Sequence, residues 1–309
     1  MLRDRKILIT GGAGFIGSHL VNRLEDSNRL IILDNLRTGK IGSIEHLGRA
    51  IEFHKIDLLK DDISEFFRGV KYVFHLAADA DVKTDLSSFN NSFDQNFTVT
   101  RKVAEESRKA GVKNFCFASS SAVYGEAKAI PTPESYGPLK PISIYGASKL
   151  ACEALLSGYS HYFGINCLVL RLANVIGNGC HGIVPDFVAK LRKNSSELEI
   201  LGDGKQKKSY IYIEDCIDAM LFLMEKYSKP FDIFNLGSED DIIVKRIAEI
   251  VSQEMGVKPR FRYTGGPRGW KGDVPLMRLD ITKMKKLTWK PRHSSEEAVR
   301  RTVKDILKP

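Results

Sequence analysis

In Lys6-Ile7-Leu8-Ile9-Thr10-Gly11-Gly12-Ala13-Gly14-Phe15-Ile16-Gly17-Ser18-His19-Leu20 an apolar, β-branched run breaks on four glycines and resumes with helical spacing. Glycine at 11 permits a tight turn, Gly14 lets backbone approach a phosphate group, and Gly17 lets the helix pack closely on the strand. The start of such a helix offers unpaired amides and the positive end of its dipole to an anion. The strand before and the helix after separate this loop from an ordinary glycine-rich turn.

Working outward, the next apolar run, Ile31-Ile32-Leu33, closes on Asp34. A carboxylate at that point accepts hydrogen bonds from an adenosine ribose and repels a 2′-phosphate, so NAD is expected in preference to NADP. Arg37 lies close enough to argue the other way. Strands are read at Lys6–Thr10, Leu30–Asp34, Ile51–Lys55, Tyr72–Leu76, Asn114–Ser119 and Asn166–Leu170, several of them apolar on both faces. Between them Phe15–Glu25, Phe93–Ala110 and Ile144–Phe163 carry helical spacing. Repeated strand-helix units predict an α/β fold, a Rossmann-type doubly wound parallel sheet.

Past residue 171 the rhythm breaks, with loops at Gly177-Asn178-Gly179, Gly202-Asp203-Gly204 and Gly265-Gly266-Pro267 to Gly272. Helices are expected at Ile183–Lys193, Glu214–Lys226, Val244–Met255 and Ser295–Ile306. The expected division is a dinucleotide-binding domain over 1–170, to which some later segments return, and a smaller mixed substrate region over 171–309. Open α/β sheets bind ligands at the C-terminal ends of their strands.

At 309 residues the chain can bury a sizeable core. It is 43% hydrophobic and 28% charged, the balance of a globular protein and not of a disordered one. No apolar run reaches the about 18–20 residues that cross a bilayer. The start, Met1-Leu2-Arg3-Asp4-Arg5-Lys6, lacks the apolar core and cleavage site of a signal peptide, so a cytoplasmic location is expected. Five scattered cysteines without a CxxC pair suggest neither disulfides nor a zinc site, and no metal is expected. The net charge of +9 is spread along the chain in short clusters such as Lys205/Lys207/Lys208 and Lys283/Lys285/Lys286. Such charge can attract nucleic acid or serve an anionic small substrate, but its spread reads first as a solvated surface, and neither nucleic acid nor a membrane is expected as partner.

Tyr145-Gly146-Ala147-Ser148-Lys149 sets a phenol and an ammonium on one face of a helix. A cation beside a phenol stabilises the phenolate and lowers a pKa that starts at about 10. Such pairs are common on solvated helices, but this one has company. The strand Asn114–Ser119 ends in Ser119-Ser120-Ser121-Ala122-Val123-Tyr124-Gly125, which presents hydroxyls at the same sheet edge. Further segments are His75-Leu76-Ala77-Ala78, Asn96 in Asn-Phe-Thr-Val-Thr, Arg171-Leu172-Ala173-Asn174-Val175-Ile176-Gly177, and Tyr210-Ile211-Tyr212-Ile213-Glu214-Asp215 after Gly202-Asp203-Gly204.

Ser, Tyr and Lys with a GxxGxxG loop resemble the catalytic arrangement of the short-chain dehydrogenase/reductase superfamily. The length and the other motifs, from residue 6 to about 290, resemble its extended branch, which acts on nucleotide sugars. Dehydratases of that branch carry a Thr-Asp-Glu pattern around the serine, and glucuronate decarboxylases a glutamate where Ala122 stands; this chain offers Ser120, Ser121 and Ala122. The pattern is most similar to the UDP-glucose 4-epimerase family of prokaryotic type. The resemblance implies that Tyr145 exchanges the proton of the sugar 4-hydroxyl, that Ser120 bridges it, with Ser121 as the alternative, and that Lys149 binds the nicotinamide ribose. It also places Gly11, Gly14, Phe15, Ile16, Gly17, Asp34, Asn35, Asp57, Leu58, Leu76, Ala77, Ala78, Asn96 and Ser119 at the cofactor.

For the nucleotide diphosphate it points to Asn174, Lys208 and Arg268, with Ser121 at the sugar. Here the chain departs from the family: Lys208-Ser209 replaces Arg-Asp, and Trp270-Lys271-Gly272-Asp273 replaces Arg-Pro-Gly-Asp. An ammonium is a point charge where a guanidinium is a fork. A net NAD-dependent dehydrogenase, an epimerase of another nucleotide sugar, and a non-catalytic NAD-binding protein are the competing readings. His181 is read either as lining the sugar pocket or as a surface loop histidine, and His75 as a hydrogen-bonded core residue. Helices Phe93–Ala110 and Ile144–Phe163 resemble those that pair in family homodimers, so a homodimer is expected by analogy.

Overall fold

The computed structural model describes residues 2–44, 48, 51–80, 93–227 and 229–308. All candidate site residues lie among these. The chain divides into two compact units: Met1–Val123 with Pro141–Arg171 and Ile217–Phe234, and Tyr124–Lys140 with Leu172–Cys216 and Asn235–Pro309.

The first unit is built on a seven-stranded parallel sheet of β1 (Lys6–Thr10), β2 (Arg29–Asp34), β3 (Ile51–Lys55), β4 (Tyr72–His75), β5 (Asn114–Ser120), β6 (Asn166–Leu172) and β7 (Phe231–Leu236), in the order β7-β6-β5-β4-β1-β2-β3. Among the described residues the helices are α1 (Phe15–Leu24), α2 (Val99–Lys109), α3 (Ile144–Phe163), α4 (Ile183–Lys193), α5 (Ile213–Lys226), α6 (Val244–Glu254), α7 (Thr282–Lys286) and α8 (Ser295–Leu307). Leu8, Leu33, Val73, Phe115 and Val169 pack on one face of the sheet with Val99, Val103, Cys152 and Leu156 of α2 and α3. Ile7, Ile9, Ile32 and Phe74, pointing the other way, are buried as well. Apolar residues on both faces are what a parallel sheet between helix layers requires. The six expected strands and the doubly wound sheet are present; β7 was not expected, because Asp232 and Asn235 interrupt its apolar pattern.

The order reverses between β1 and β4, which makes their C-terminal ends the topological switch point where open α/β sheets bind ligands. The expected helix over Phe93–Ala110 does not run uniformly. A wider π-type turn, Asp94–Thr98, precedes α2, and such turns loosen a helix where side chains must be re-aimed. Helix α3 is capped by Ser143, whose hydroxyl accepts from the Gly146 amide, and ends on Gly164 at φ +66°.

In the second unit α4, α6 and α8 pack on one another. Short strands surround them: Asn174–Ile176 beside Tyr210–Tyr212, Glu197–Ile200 beside Arg260–Tyr263, and Lys207–Lys208 between Ile242–Ile243 and Leu276–Met277. Ser294 and Glu297 form a reciprocal cap at the start of α8.

Candidate active site

A cleft of about 650 Å³, counting space open to solvent, lies at the switch point of the first unit. Gly11 and Gly14 form its floor, with Asp34, Leu58, Ala77 and Asp79 among its walls. The glycines are required by contact. A Cβ on Gly11, at φ +71°, would lie 2.7 Å from the Ala77 nitrogen, and one on Gly17 would lie 2.1 Å from the Gly11 carbonyl oxygen. Helix α1 begins at Phe15 behind Gly14, and no side chain caps it. The amides of its first turn, those of Phe15 and Ile16 included, are therefore left for an anion. A bare helix start behind a glycine floor fits the pyrophosphate of a dinucleotide.

Asp34 is buried at the end of β2. Its carboxylate accepts from the Ala13 amide at 3.0 Å and the Leu36 amide at 2.8 Å, which fixes it beside the glycine loop with lone pairs to spare for a ribose. Asn35 accepts from the Arg37 amide. Leu58, Leu76, Ala77 and Ala78 line the cleft. Asp57 instead caps the next turn, accepting from the Leu59 amide, while Ser119 donates to Glu153. Asn96, buried in the π-type turn, accepts from the Asp79 amide and donates to the Asp79 carbonyl and to Ser148 of α3.

Ser120, Tyr145 and Lys149 are brought together by one close approach. A Cβ on Gly146 would sit 2.6 Å from the Ala122 carbonyl oxygen, so only glycine allows α3 to press its first turn against the end of β5. There the Ser120 hydroxyl lies beside the Tyr145 phenol, opposing the rise of its pKa, and accepts from the Ala122 amide at 3.1 Å. Lys149 is buried, donates to the Ala118 carbonyl at 2.8 Å and lies over the Phe117 ring, with its nitrogen 5.9 Å from the centre of the Tyr145 ring.

The electrostatics differ from the expectation of an acidified phenol. Burial pushes Tyr145 up to about 12, opposed by the Ser120 hydrogen bond and reinforced by the Asp79 carboxylate. Burial brings Lys149 down to about 8, with Glu153 pulling the other way. The physical reason is placement: the ammonium is engaged by the Ala118 carbonyl and stands off the phenol.

Beneath the triad, Glu153 and Arg171 form a bidentate pair with side chains 4% and 3% exposed, and Ser119 donates to the same carboxylate. Sequence reasoning missed this pair, although a lone arginine in the apolar run of β6 requires a buried acid and Glu153 stands one turn beyond Lys149. His75 is fully buried between two threonines. Thr100 donates its hydroxyl proton to the Asn96 carbonyl, so it accepts from His75 Nε2, and Thr10 donates to Nδ1. Burial holds the ring neutral, its pKa lowered to about 3.

In the second unit Lys208, Arg268, Trp270 and Asp273 form one cluster. The Lys208 ammonium pairs with the Asp273 carboxylate and lies 4.9 Å from the Trp270 ring centre. Arg268 donates to the Asp273 carbonyl at 2.6 Å and to Glu126. Asn174 donates to the Ser209 carbonyl at 3.1 Å. His181 is exposed. Among the described residues no group of three or more His, Cys, Asp or Glu could hold a metal, and no helix is long and apolar enough to cross a membrane. The five cysteines are buried and unbridged.

Residues 7–237 match the NAD-dependent epimerase/dehydratase family. A protein of Methanocaldococcus jannaschii provisionally named UDP-glucose 4-epimerase is 35% identical over 306 residues, 96% of this chain and 97% of its own. The crystal structure of a UDP-galactose 4-epimerase superposes with a TM-score of 0.85 at 40% identity, covering 97% of this chain and 98% of that one. A UDP-N-acetylglucosamine 4-epimerase from Methanobrevibacter ruminantium, bound to UDP-N-acetylmuramic acid, gives a TM-score of 0.90 at 30% identity over 99% of both chains. A glycine-floored dinucleotide cleft, a Ser/Tyr/Lys set at its sheet edge and these likenesses end to end agree: the chain belongs to the NAD-dependent epimerase/dehydratase family, within the extended short-chain dehydrogenases/reductases.

Proposed function

We propose that this protein is an isomerase that interconverts the 4-epimers of a UDP-hexose, UDP-glucose and UDP-galactose first, through a transient 4-keto sugar. The observation that carries the reading is the meeting of Ser120, Tyr145 and Lys149 at one sheet edge, where α3 closes on Ala122 through Gly146, with no carboxylate at Ser121 or Ala122. One proton-transferring phenol suffices for reversible oxidation at one carbon, whereas elimination of water needs a further acid and base. NAD, when bound, supplies the acceptance and return of a hydride.

The chain's own residues do the rest. Backbone amides at Phe15 and Ile16 hold the pyrophosphate, and Asp34 takes the adenosine ribose. Lys149 bonds the nicotinamide ribose. Tyr145 removes the proton from the sugar 4-hydroxyl and returns it, with Ser120 bridging the two oxygens. Bringing a phenol pushed up to about 12 into play requires a cation beside it. The Lys149 ammonium lies 5.9 Å from the centre of its ring, so a shift of Lys149 from the Ala118 carbonyl toward the ribose belongs to the reading. Asn174, Lys208 and Arg268 of the second unit take the diphosphate. A homodimer and a cytoplasmic location are part of the same proposal. The end of α3, with Tyr162 81% exposed, supplies an apolar surface for the former.

The test is incubation of purified protein with UDP-glucose without added NAD or reductant, followed by separation of the products. UDP-galactose accumulating to a fixed ratio supports the proposal. Absorbance growing at 340 nm with added NAD would replace it with a net dehydrogenase. Turnover of UDP-N-acetylglucosamine in place of UDP-glucose would move the sugar assignment to an epimerase of another nucleotide sugar.

A further inference from the structure

Asp34 and Arg37 make opposite statements about the cofactor when read along the chain. A carboxylate at the end of the second strand selects against a 2′-phosphate, and an arginine close behind it is the usual means of accepting one. Three observations decide how they act together. The loop from Asn35 to Lys40 is fixed: Asp34 accepts the Leu36 amide, Asn35 accepts the Arg37 amide, Leu36 stands at φ +58°, and the Lys40 amide bonds the Ala13 carbonyl at 3.0 Å. On the opposite wall the backbone of Asp79 is clamped on both sides by the buried Asn96 amide. Between these two anchored loops the Arg37 guanidinium donates to the Asp79 carboxylate at 3.2 Å, and both residues line the cleft that holds Asp34. The Asp79 carboxylate is only 9% exposed, while Arg37 remains half-exposed.

We infer that Asp79 is a cofactor-specificity residue: by holding Arg37 across the cleft it withholds the guanidinium from a 2′-phosphate and keeps the site for NAD. The cation that could neutralise a phosphate is already neutralised by a carboxylate from the loop that follows β4. A 2′-phosphate would have to displace Asp79 from Arg37 and then share the cleft with two acids. The device is built of side chains on two rigid loops, so it acts before any dinucleotide arrives. This inference rests on the reading that the cleft takes NAD.

The experiment exchanges purified wild-type, Asp79→Asn and Arg37→Ala/Asp79→Asn proteins against an equimolar mixture of NAD and NADP, removes free nucleotide, and measures the retained pair by mass spectrometry of the denatured extract. Asp79→Asn should raise the retained NADP:NAD ratio about fivefold, the size of a single partly exposed charge contact. The double variant should return to within about twofold of wild type, because the gain needs the released guanidinium. Asp79→Ser, smaller and also uncharged, should shift the ratio in the same direction and guards against a fault peculiar to asparagine. An unchanged ratio in both single variants overturns the inference. An equal rise in the double variant also overturns it, since repulsion by Asp79 alone would then be the cause. Retention of neither dinucleotide by any of the proteins, wild type included, removes the NAD reading itself and the inference with it.

Discussion

In the first unit the groups that face the cleft are largely backbone: a bare helix start, a glycine floor, and amides fixed by Asp34. In the second, two of the three residues expected at the diphosphate are long charged side chains already engaged by an acid, Lys208 by Asp273 and Arg268 by Glu126, while the third, Asn174, bonds the Ser209 carbonyl. The first arrangement is made by folding and cannot be rearranged without unfolding the sheet edge. The second is made of pairs that a ligand can compete for. A cofactor that stays and a substrate that must leave call for these two kinds of site.

The comparison breaks first at Tyr145. Tyr145→Phe should lower turnover by about 10²–10⁴-fold, the range of general acid–base catalysis, while the protein retains its dinucleotide. Loss of both together would mean that the phenol holds the cofactor site and is not confined to chemistry. Next is Gly17→Ala, whose methyl group meets the Gly11 carbonyl oxygen at 2.1 Å. Denaturant melts should show a loss of about 3 kcal/mol, with dinucleotide retention falling alongside. A well-folded variant that retains NAD would show the floor to be pliable.

His75 sharpens the same contrast through pH. Its pKa is lowered from 6.5 to about 3 in the fold, so between those values the unfolded chain binds one more proton. Stability from this group is therefore complete above pH 6.5 and declines as pH falls toward 3, with a slope of up to about 1.4 kcal/mol per pH unit. His75→Asn should flatten that part of the stability profile; a slope unchanged by the substitution would assign the acid sensitivity elsewhere. The smallest effect is expected in the second unit. Lys208→Met should raise KM for the nucleotide sugar several-fold at nearly constant kcat, with about 1–2 kcal/mol lost because Asp273, 2% exposed, is left short of a partner. A fall in kcat at constant KM would place Lys208 in the chemical step.

What was legible in the sequence divides along the same line. Periodicity and glycine spacing placed β1, α1 and α3, because backbone geometry is dictated by local residue type. The strand β7 escaped, since its register comes from its neighbour and not from its own alternation. Tyr145 and Lys149 were paired through their spacing and Ser120, with Ser121 as the alternative, through the resemblance to the family pattern; the structure brings Ser120, Tyr145 and Lys149 together at Gly146. Their proton affinities were not legible, because burial and the Ala118 carbonyl are properties of the packed state. Arg37 with Asp79, and Lys208 with Asp273, are pairs far apart in the chain, and no spacing rule joins them.

The buried Glu153–Arg171 pair has a bearing on alignment. Apolar residues in a core are interchangeable to a first approximation, so a helix sliding by one residue along a strand loses some packing but no partner. Charges are not interchangeable in this way. If α3 slipped against β6, a carboxylate and a guanidinium would face hydrocarbon unpaired, at a cost of several kcal/mol. The pair thus works as a dowel between helix and sheet. It sets the height at which Tyr145 and Lys149, on the same helix, stand above the strand ends, and it makes the reactive geometry a consequence of which charges can meet.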